Sequence, residues 1–96
     1  MKLLQGFEAE YQKRHDEIWP ELKALLKDTG ISDYSIFLDE EKNMFAYFTI
    51  EDEKKLDELP GKLVMKKWWN YMKDIMETND DNSPVNIPLK EVFYLP

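Results

Sequence analysis

The sequence has no cysteine and only one histidine. Without cysteine there is no disulfide, no thiol nucleophile and no cysteine-ligated zinc or iron–sulfur site. Its three isolated glycines do not form a phosphate-binding loop. Ser32, Ser35 and Ser83 stand in no recognisable nucleophile motif. The common cofactor and nucleophile motifs are therefore missing, and His15 paired with carboxylates makes only a weak zinc candidate.

Long apolar runs and an excess of positive charge are missing as well. No stretch approaches the roughly 20 apolar residues that span a bilayer, and the N-terminus shows no signal-peptide pattern. Thirteen basic and twenty acidic residues give a net charge of −7, which repels phosphate backbones and anionic lipids. We therefore expect a cytoplasmic protein that binds neither nucleic acid nor membrane. A length of 96 residues predicts one domain spanning 1–96.

Aromatic residues are abundant, at 14% of the chain, with three Trp, five Tyr and five Phe. Many rings beside a single imidazole suggest either an aromatic-rich core or a pocket with one general acid/base. Composition alone favours the core.

Apolar periodicity and breaker residues predict four helical segments. Pro20 suits a first helical position, and Gly30 suits a left-handed helix cap. The first two segments are either separate helices or one kinked helix. The predicted segments are 7–15, 21–27, 53–59 and 63–78.

Three strands are predicted, at 34–39, 44–51 and 89–95, with a polar hairpin turn at 40–43. The two hairpin strands are apolar on both faces, so each face needs cover. The few helices of this chain can cover one face, which favours a homodimer in which a second copy covers the other. The element order predicts an α+β fold with a small antiparallel sheet. A ferredoxin-like β-α-β-β-α-β arrangement with helices on one face fits best.

Five residues are candidates for a site. His15 lies four residues after Tyr11, so the two share a helix face, and an imidazole with a pKa near 6.5 suits proton transfer. Trp68 and Trp69 point about 100° apart on a helix, and Tyr34 begins a strand. For each residue taken alone, a structural role is the better interpretation. The oxygen-rich loop 79–83 is interpreted as a turn rather than a calcium site.

Taken together, the residues resemble the L-rhamnose mutarotase family. The resemblance covers nearly the whole chain, in family order, and includes uncommon aromatic pairs. Its motifs are EYQKRH at 10–15, IWPEL at 18–22, DYSIFLD at 33–39, KWW at 67–69 with Tyr71-Met72, DIM at 74–76, DNSPV at 81–85 and EVFYL at 91–95.

The resemblance implies an isomerase that interconverts the α and β anomers of L-rhamnose without a metal or organic cofactor. His15 matches the family's proton donor. The positions that match its sugar-binding residues are Tyr11, Tyr34, Trp68 and Trp69. The implied fold is a ferredoxin-like unit that pairs into a dimeric α/β barrel.

In the mechanism expected from this resemblance, protonated His15 donates to the ring oxygen. Tyr11 or Tyr34 handles the anomeric hydroxyl, directly or through water. Because a dimeric barrel hosts several activities, three alternatives stay open. They are a mutarotase for another deoxysugar such as fucose, a cofactor-free oxygenase, and a non-catalytic sugar-binding module.

Overall fold

The computed structural model describes residues 1–96 as helices packed around one β-hairpin. This confirms the α+β class and the version with two separate N-terminal helices. In chain order the elements are α1 (Glu8–Asp16), α2 (Pro20–Asp28), β1 (Ile31–Leu38), β2 (Met44–Ile50), a 3₁₀ helix (Glu53–Gly61) and α3 (Leu63–Met72).

The two N-terminal helices are specified by their ends. Glu8 and Glu10 lie in the first turn of α1, and its last turn is basic, which suits the helix dipole at both ends. Pro20 occupies the start of α2, where its missing N–H costs nothing. Gly30, at φ +92°, turns the chain from α2 into β1 as predicted.

β1 and β2 pair antiparallel across the predicted turn, with a register irregularity between Ser32 and Ser35. The hairpin has two contrasting faces. Its outer face carries the opposed pair Phe37 and Phe45 together with Tyr47, and all three rings are exposed. The inner face turns toward the helices and is lined by Tyr34, Ile36, Leu38, Met44, Ala46 and Phe48.

The final helix is shorter than predicted, because α3 ends at Met72. Past this point the backbone pairs with the N-terminal segment instead of continuing the helix. The N–H of Leu4 donates to the carbonyl of Ile75, and the N–H of Glu77 donates to the carbonyl of Lys2, each at 2.9 Å. The predicted continuation to residue 78 is therefore wrong, since long-range pairing satisfies these backbone groups outside a helix.

The predicted last strand, 89–95, does not form, and the segment has no regular structure. Its apolar side chains, such as Val92 and Phe93, are exposed. A strand needs a neighbour to accept and donate its backbone hydrogen bonds, and the sheet of this chain contains only β1 and β2. The four-stranded ferredoxin-like sheet is thus incomplete within one chain.

A single buried core lies between α2, α3 and the inner face of the hairpin. Leu3, Leu22, Met72 and Ile75 are its most deeply buried large side chains. Leu3 reaches the core because its segment is hydrogen-bonded on both sides, to the β2 start and to the chain after α3. None of the helices has the length and apolar character needed to span a membrane.

Candidate active site

An open trough of about 1660 Å³ lies beside the core and is lined by residues of the helices and of the inner face of the hairpin. Its volume exceeds the roughly 300–1,000 Å³ of ordinary ligand pockets, so it is only partly enclosed by one chain. All five predicted site residues line it: Tyr11, His15, Tyr34, Trp68 and Trp69. Segments from three elements and both halves of the sequence thus converge on one cavity.

His15 is held at the trough by its own helix and by two rings. Its ring stacks on Tyr11 at 4.3 Å between centroids and lies perpendicular to the Trp68 ring, at 5.4 Å between centroids. Nδ1 lies 3.0 Å from the Tyr11 carbonyl oxygen. A carbonyl can only accept, so Nδ1 carries a proton in this arrangement. Nε2 has no partner in the chain and is not sealed from the trough.

Burial controls the protonation of this site. It lowers the pKa of His15, an effect partly opposed by the hydrogen bond to the Tyr11 carbonyl. It also raises the pKa of Tyr11, assisted by the nearby Tyr34, and raises the pKa of Tyr34. Tyr34 is 43% exposed, so burial acts more strongly on Tyr11. At neutral pH the site therefore holds a mainly neutral imidazole and two protonated phenols.

The two adjacent tryptophans have different surroundings, as their helical spacing predicts. Trp68 is only 7% exposed and belongs to the core. Its ring is perpendicular to those of His15 and Trp19, with centroid distances of 5.4 and 5.1 Å. Trp69 is half-buried and packs against the core from the trough side. Trp68 thus builds the wall behind His15, while Trp69 offers ring surface to a ligand.

Sequence reasoning gave no role to three residues that shape this site. Trp19 stacks on Tyr71 at 5.5 Å and braces Trp68. Phe48 stacks on Tyr34 at 5.2 Å and fixes the orientation of that phenol. Arg14 ties α1 to the end of α3. Trp19 and Arg14 lie within the family motifs, but their contacts are distant in sequence. Phe48 lies outside the motifs, and only the hairpin register brings it to Tyr34.

The oxygen-rich loop after α3 is a turn. The N–H of Asn79 donates to the carbonyl of Ser83 at 2.7 Å, and Asp81 accepts from the N–H of Ser83 at 3.0 Å. These local bonds hold residues 79–83 in the predicted turn. No group of three or more His, Asp or Glu side chains is placed to hold a metal ion.

The fold and the trough define a class: a small α+β protein whose candidate site combines one imidazole, two phenols and a tryptophan wall. A model of the L-rhamnose mutarotase family matches residues 1–95. Curated relatives that are more than half identical to this chain align with nearly its whole length. The chain belongs to the L-rhamnose mutarotase family, which confirms the resemblance found in its motifs.

Individual relatives show how complete the likeness is. The L-rhamnose mutarotase of Brucella anthropi is 57% identical over 97 residues, covering 100% of this chain and 92% of the relative. That of Formosa agariphila is 53% identical over 96 residues, covering 99% and 92%. A crystal structure of an L-rhamnose mutarotase from Formosa agariphila superposes with a TM-score of 0.91. It is 52% identical, and the match covers 100% of this chain and 93% of that one.

Proposed function

We propose that this protein is an L-rhamnose mutarotase, an isomerase that interconverts the α and β anomers of L-rhamnose. Full-length relatives of that name at more than half identity support the reaction and the sugar. One geometric observation carries the chemistry: the only imidazole of the chain has Nδ1 tied to a carbonyl and Nε2 free at the trough. This is the arrangement of a positioned acid/base group.

Mutarotation requires two proton movements and one reversible bond cleavage. The anomeric hydroxyl loses its proton, the bond from C1 to the ring oxygen breaks, and the ring oxygen gains a proton. The product is the open aldehyde. Rotation about the C1–C2 bond and closure on the other face then give the second anomer. No atoms or electrons are gained or lost overall.

His15 can serve both proton movements. Since burial lowers its pKa, the neutral ring predominates at neutral pH, and Nε2 accepts the anomeric proton. The imidazolium so formed donates to the ring oxygen as the C1 bond breaks. This keeps the donor role that the family resemblance implies and adds the preceding acceptor step. Positioned acid/base groups of this kind contribute about 10²–10⁴-fold to such reactions.

The phenols and tryptophans hold the sugar in this proposal. Tyr11 and Tyr34 have raised pKa values, so their hydroxyls stay protonated and donate hydrogen bonds to sugar oxygens instead of acting as bases. Trp69 stacks on the C–H face of the ring and on its C6 methyl group. Trp68 closes the wall behind the imidazole.

The test is NMR magnetisation exchange between the anomeric protons of L-rhamnose, with the wild-type protein and with His15→Ala. We expect protein-dependent exchange whose kcat falls about 10²–10⁴-fold in His15→Ala. Lys13→Ala is the matched control, because Lys13 lies on the same helix and does not line the trough. Unchanged turnover in His15→Ala contradicts the role of His15.

Exchange with a panel of sugars, a binding measurement and an ultraviolet assay of quinol oxidation separate the alternatives. Exchange with fucose but not with rhamnose moves the substrate and keeps the chemistry. Sugar binding without exchange indicates a binding module, and oxidation of a quinol indicates an oxygenase.

We further infer a cytoplasmic homodimer built as a dimeric α/β barrel, with residues 1–96 acting as one domain. Support for the domain is the single core cluster. Support for the dimer is the uncovered outer face of the hairpin, which carries Phe37, Phe45 and Tyr47. A net charge of −7 repels nucleic acid and anionic lipid, so we expect neither as a partner.

A further inference from the structure

The helix that carries the proposed catalytic histidine has little hydrophobic anchorage. α1 contains no buried residue, and only Tyr11 among its side chains packs partly against the core. Apolar burial, which holds α2 and α3 in place, therefore contributes little to fixing α1. Yet His15 must keep its distance from Trp68, which lies on α3. Some other interaction has to hold α1 against α3.

Arg14, the neighbour of His15, spans that gap. Its Nη1 donates to Asp74 Oδ1 at 2.9 Å, and its Nη2 donates to Asp74 Oδ2 at 3.3 Å. Nη1 also donates to the Tyr71 carbonyl oxygen at 2.7 Å. The forked guanidinium of Arg14 thus binds the Asp74 carboxylate through two nitrogens and, at the same time, one of the last carbonyls of α3. The Arg14 side chain is only 10% exposed, whereas that of Asp74 is 62% exposed, so water reaches the ion pair from the Asp74 side.

The Nε donor and the flat face of the guanidinium are also used. Nε donates to Glu10 Oε1 at 3.0 Å, one turn back on α1. The guanidinium carbon lies 4.4 Å from the centroid of the Tyr71 ring, within cation–π range. The bond to Asp74 raises the pKa of Arg14 and lowers the pKa of Asp74. Only a planar fork of fixed geometry fits all of these partners together, and a lysine would not.

We infer that Arg14 is a positioning residue for the proposed reaction: it clamps α1 onto the end of α3 and so sets His15 against Trp68. The clamp reaches the site by two routes. One is the peptide bond that joins Arg14 to His15. The other is Tyr71, whose ring stacks on Trp19 and lies 5.7 Å from the Trp68 ring. This inference rests on the proposed role of His15.

Arg14→Lys is the decisive variant, because it keeps the positive charge and removes the fork. A misplacement of about 1 Å at a reacting group can cost about 10²-fold in rate. We therefore expect kcat for rhamnose anomer exchange to fall between about 10-fold and 10²-fold, with KM changed less than about 2-fold. Lys13→Ala, which removes a charge from the neighbouring position of the same helix, should leave both constants near wild type.

A second readout does not depend on activity. The chain has a single histidine, so its imidazole C–H signals are unambiguous in a ¹H–¹³C NMR spectrum. The stacked Tyr11 ring and the perpendicular Trp68 ring should shift those signals from the values of a free histidine. In Arg14→Lys the signals should move toward the free values, and in Lys13→Ala they should not.

Asp74→Asn provides the same test from the other side of the clamp, should Arg14→Lys fail to fold. It retains one acceptor and should give a smaller change in the same direction for both readouts. Wild-type kcat together with unshifted histidine signals in folded Arg14→Lys overturns the clamp. Activity that survives His15→Ala overturns instead the proposed role of His15, and the NMR signals still report whether Arg14 positions the ring.

Discussion

At the scale of single residues, the adjacent tryptophans should separate stability from binding. Trp68 is buried behind His15, and its truncation to alanine should cost about 3–5 kcal/mol of unfolding free energy. Trp69 faces the trough and is half-buried, so Trp69→Ala should raise KM for rhamnose with a smaller loss of stability. Urea unfolding and exchange kinetics measure the two effects. Equal losses of stability in both variants would show that Trp69 is a core residue as well.

Protonation of His15 should make both stability and activity sensitive to acid. Burial places the pKa of folded His15 below its unfolded value of about 6.5. Between those two values the unfolded chain binds more protons than the folded one. The contribution of His15 to the unfolding free energy is therefore constant above pH of about 6.5. It falls as the pH drops between the two pKa values and levels off below the folded pKa. The proposed acceptor step requires neutral Nε2 in the folded protein, so kcat/KM should fall at lower pH, as the pH drops through the folded pKa.

The single histidine makes this direct to measure. An NMR titration of its C–H signals gives the folded pKa, and urea unfolding at a series of pH values gives the slope. His15→Gln is the control, because it removes the imidazole and with it this part of the pH dependence. A measured pKa above about 6.5 would reverse the expected sign.

At the scale of elements, the turn from α2 into β1 depends on one glycine. Gly30 has φ +92°, and a Cβ there would lie 3.4 Å from the Cβ of Glu51. Gly30→Ala should therefore lower the unfolding free energy by about 1–2 kcal/mol. Gly61→Ala is a matched control, since nothing lies within 4 Å of its added Cβ and its φ is not positive. Urea unfolding midpoints of the two variants should differ clearly, and equal midpoints would contradict the strain.

Local sequence rules predicted the elements that are held by local interactions. α1, α2 and the hairpin follow from helix ends, periodicity and a polar turn, all of which act within a few residues. The errors fall where distant segments compete. α3 stops at Met72 because the N-terminal segment takes over the backbone pairing beyond it. The strand predicted at 89–95 lacks a neighbour in the same chain, and periodicity alone cannot show this.

The candidate site shows the same division. Tyr11 and His15 could be paired from their helical spacing, and Trp68 and Trp69 could be assigned to different surroundings. Their meeting in one trough with Tyr34 could be predicted only from the family motifs. The supports from Trp19 and Arg14 were not predicted, because each joins elements far apart along the chain. The stacking of Phe48 on Tyr34 lies within the hairpin and depends on its register, which the sequence pattern alone did not give.

At the scale of the whole molecule, two apolar surfaces lack a partner within the chain. One is the outer hairpin face with Phe37, Phe45 and Tyr47, and the other is the extended segment 89–95. Both surfaces come from sequences that predict β-strands. The hairpin strands are already paired with each other, whereas segment 89–95 is in no strand. A large trough left partly open beside them fits the same interpretation. A second copy would cover the outer face and complete the sheet of the proposed dimeric barrel.

Phe37→Glu should convert this dimer into a monomer, because it would bury an unpaired charge at the centre of the covered face. Leu63→Glu is the matched control: Leu63 is 65% exposed, close to the 61% of Phe37, but lies at the start of α3, away from the hairpin. Sedimentation velocity at micromolar concentration should show a dimer for the wild type and Leu63→Glu, and a folded monomer for Phe37→Glu. A wild-type monomer, or a dimer that survives Phe37→Glu, would mean that the outer face is not the interface. If the partner also encloses the trough, as its open side suggests, the Phe37→Glu monomer should bind rhamnose more weakly although every proposed site residue is intact.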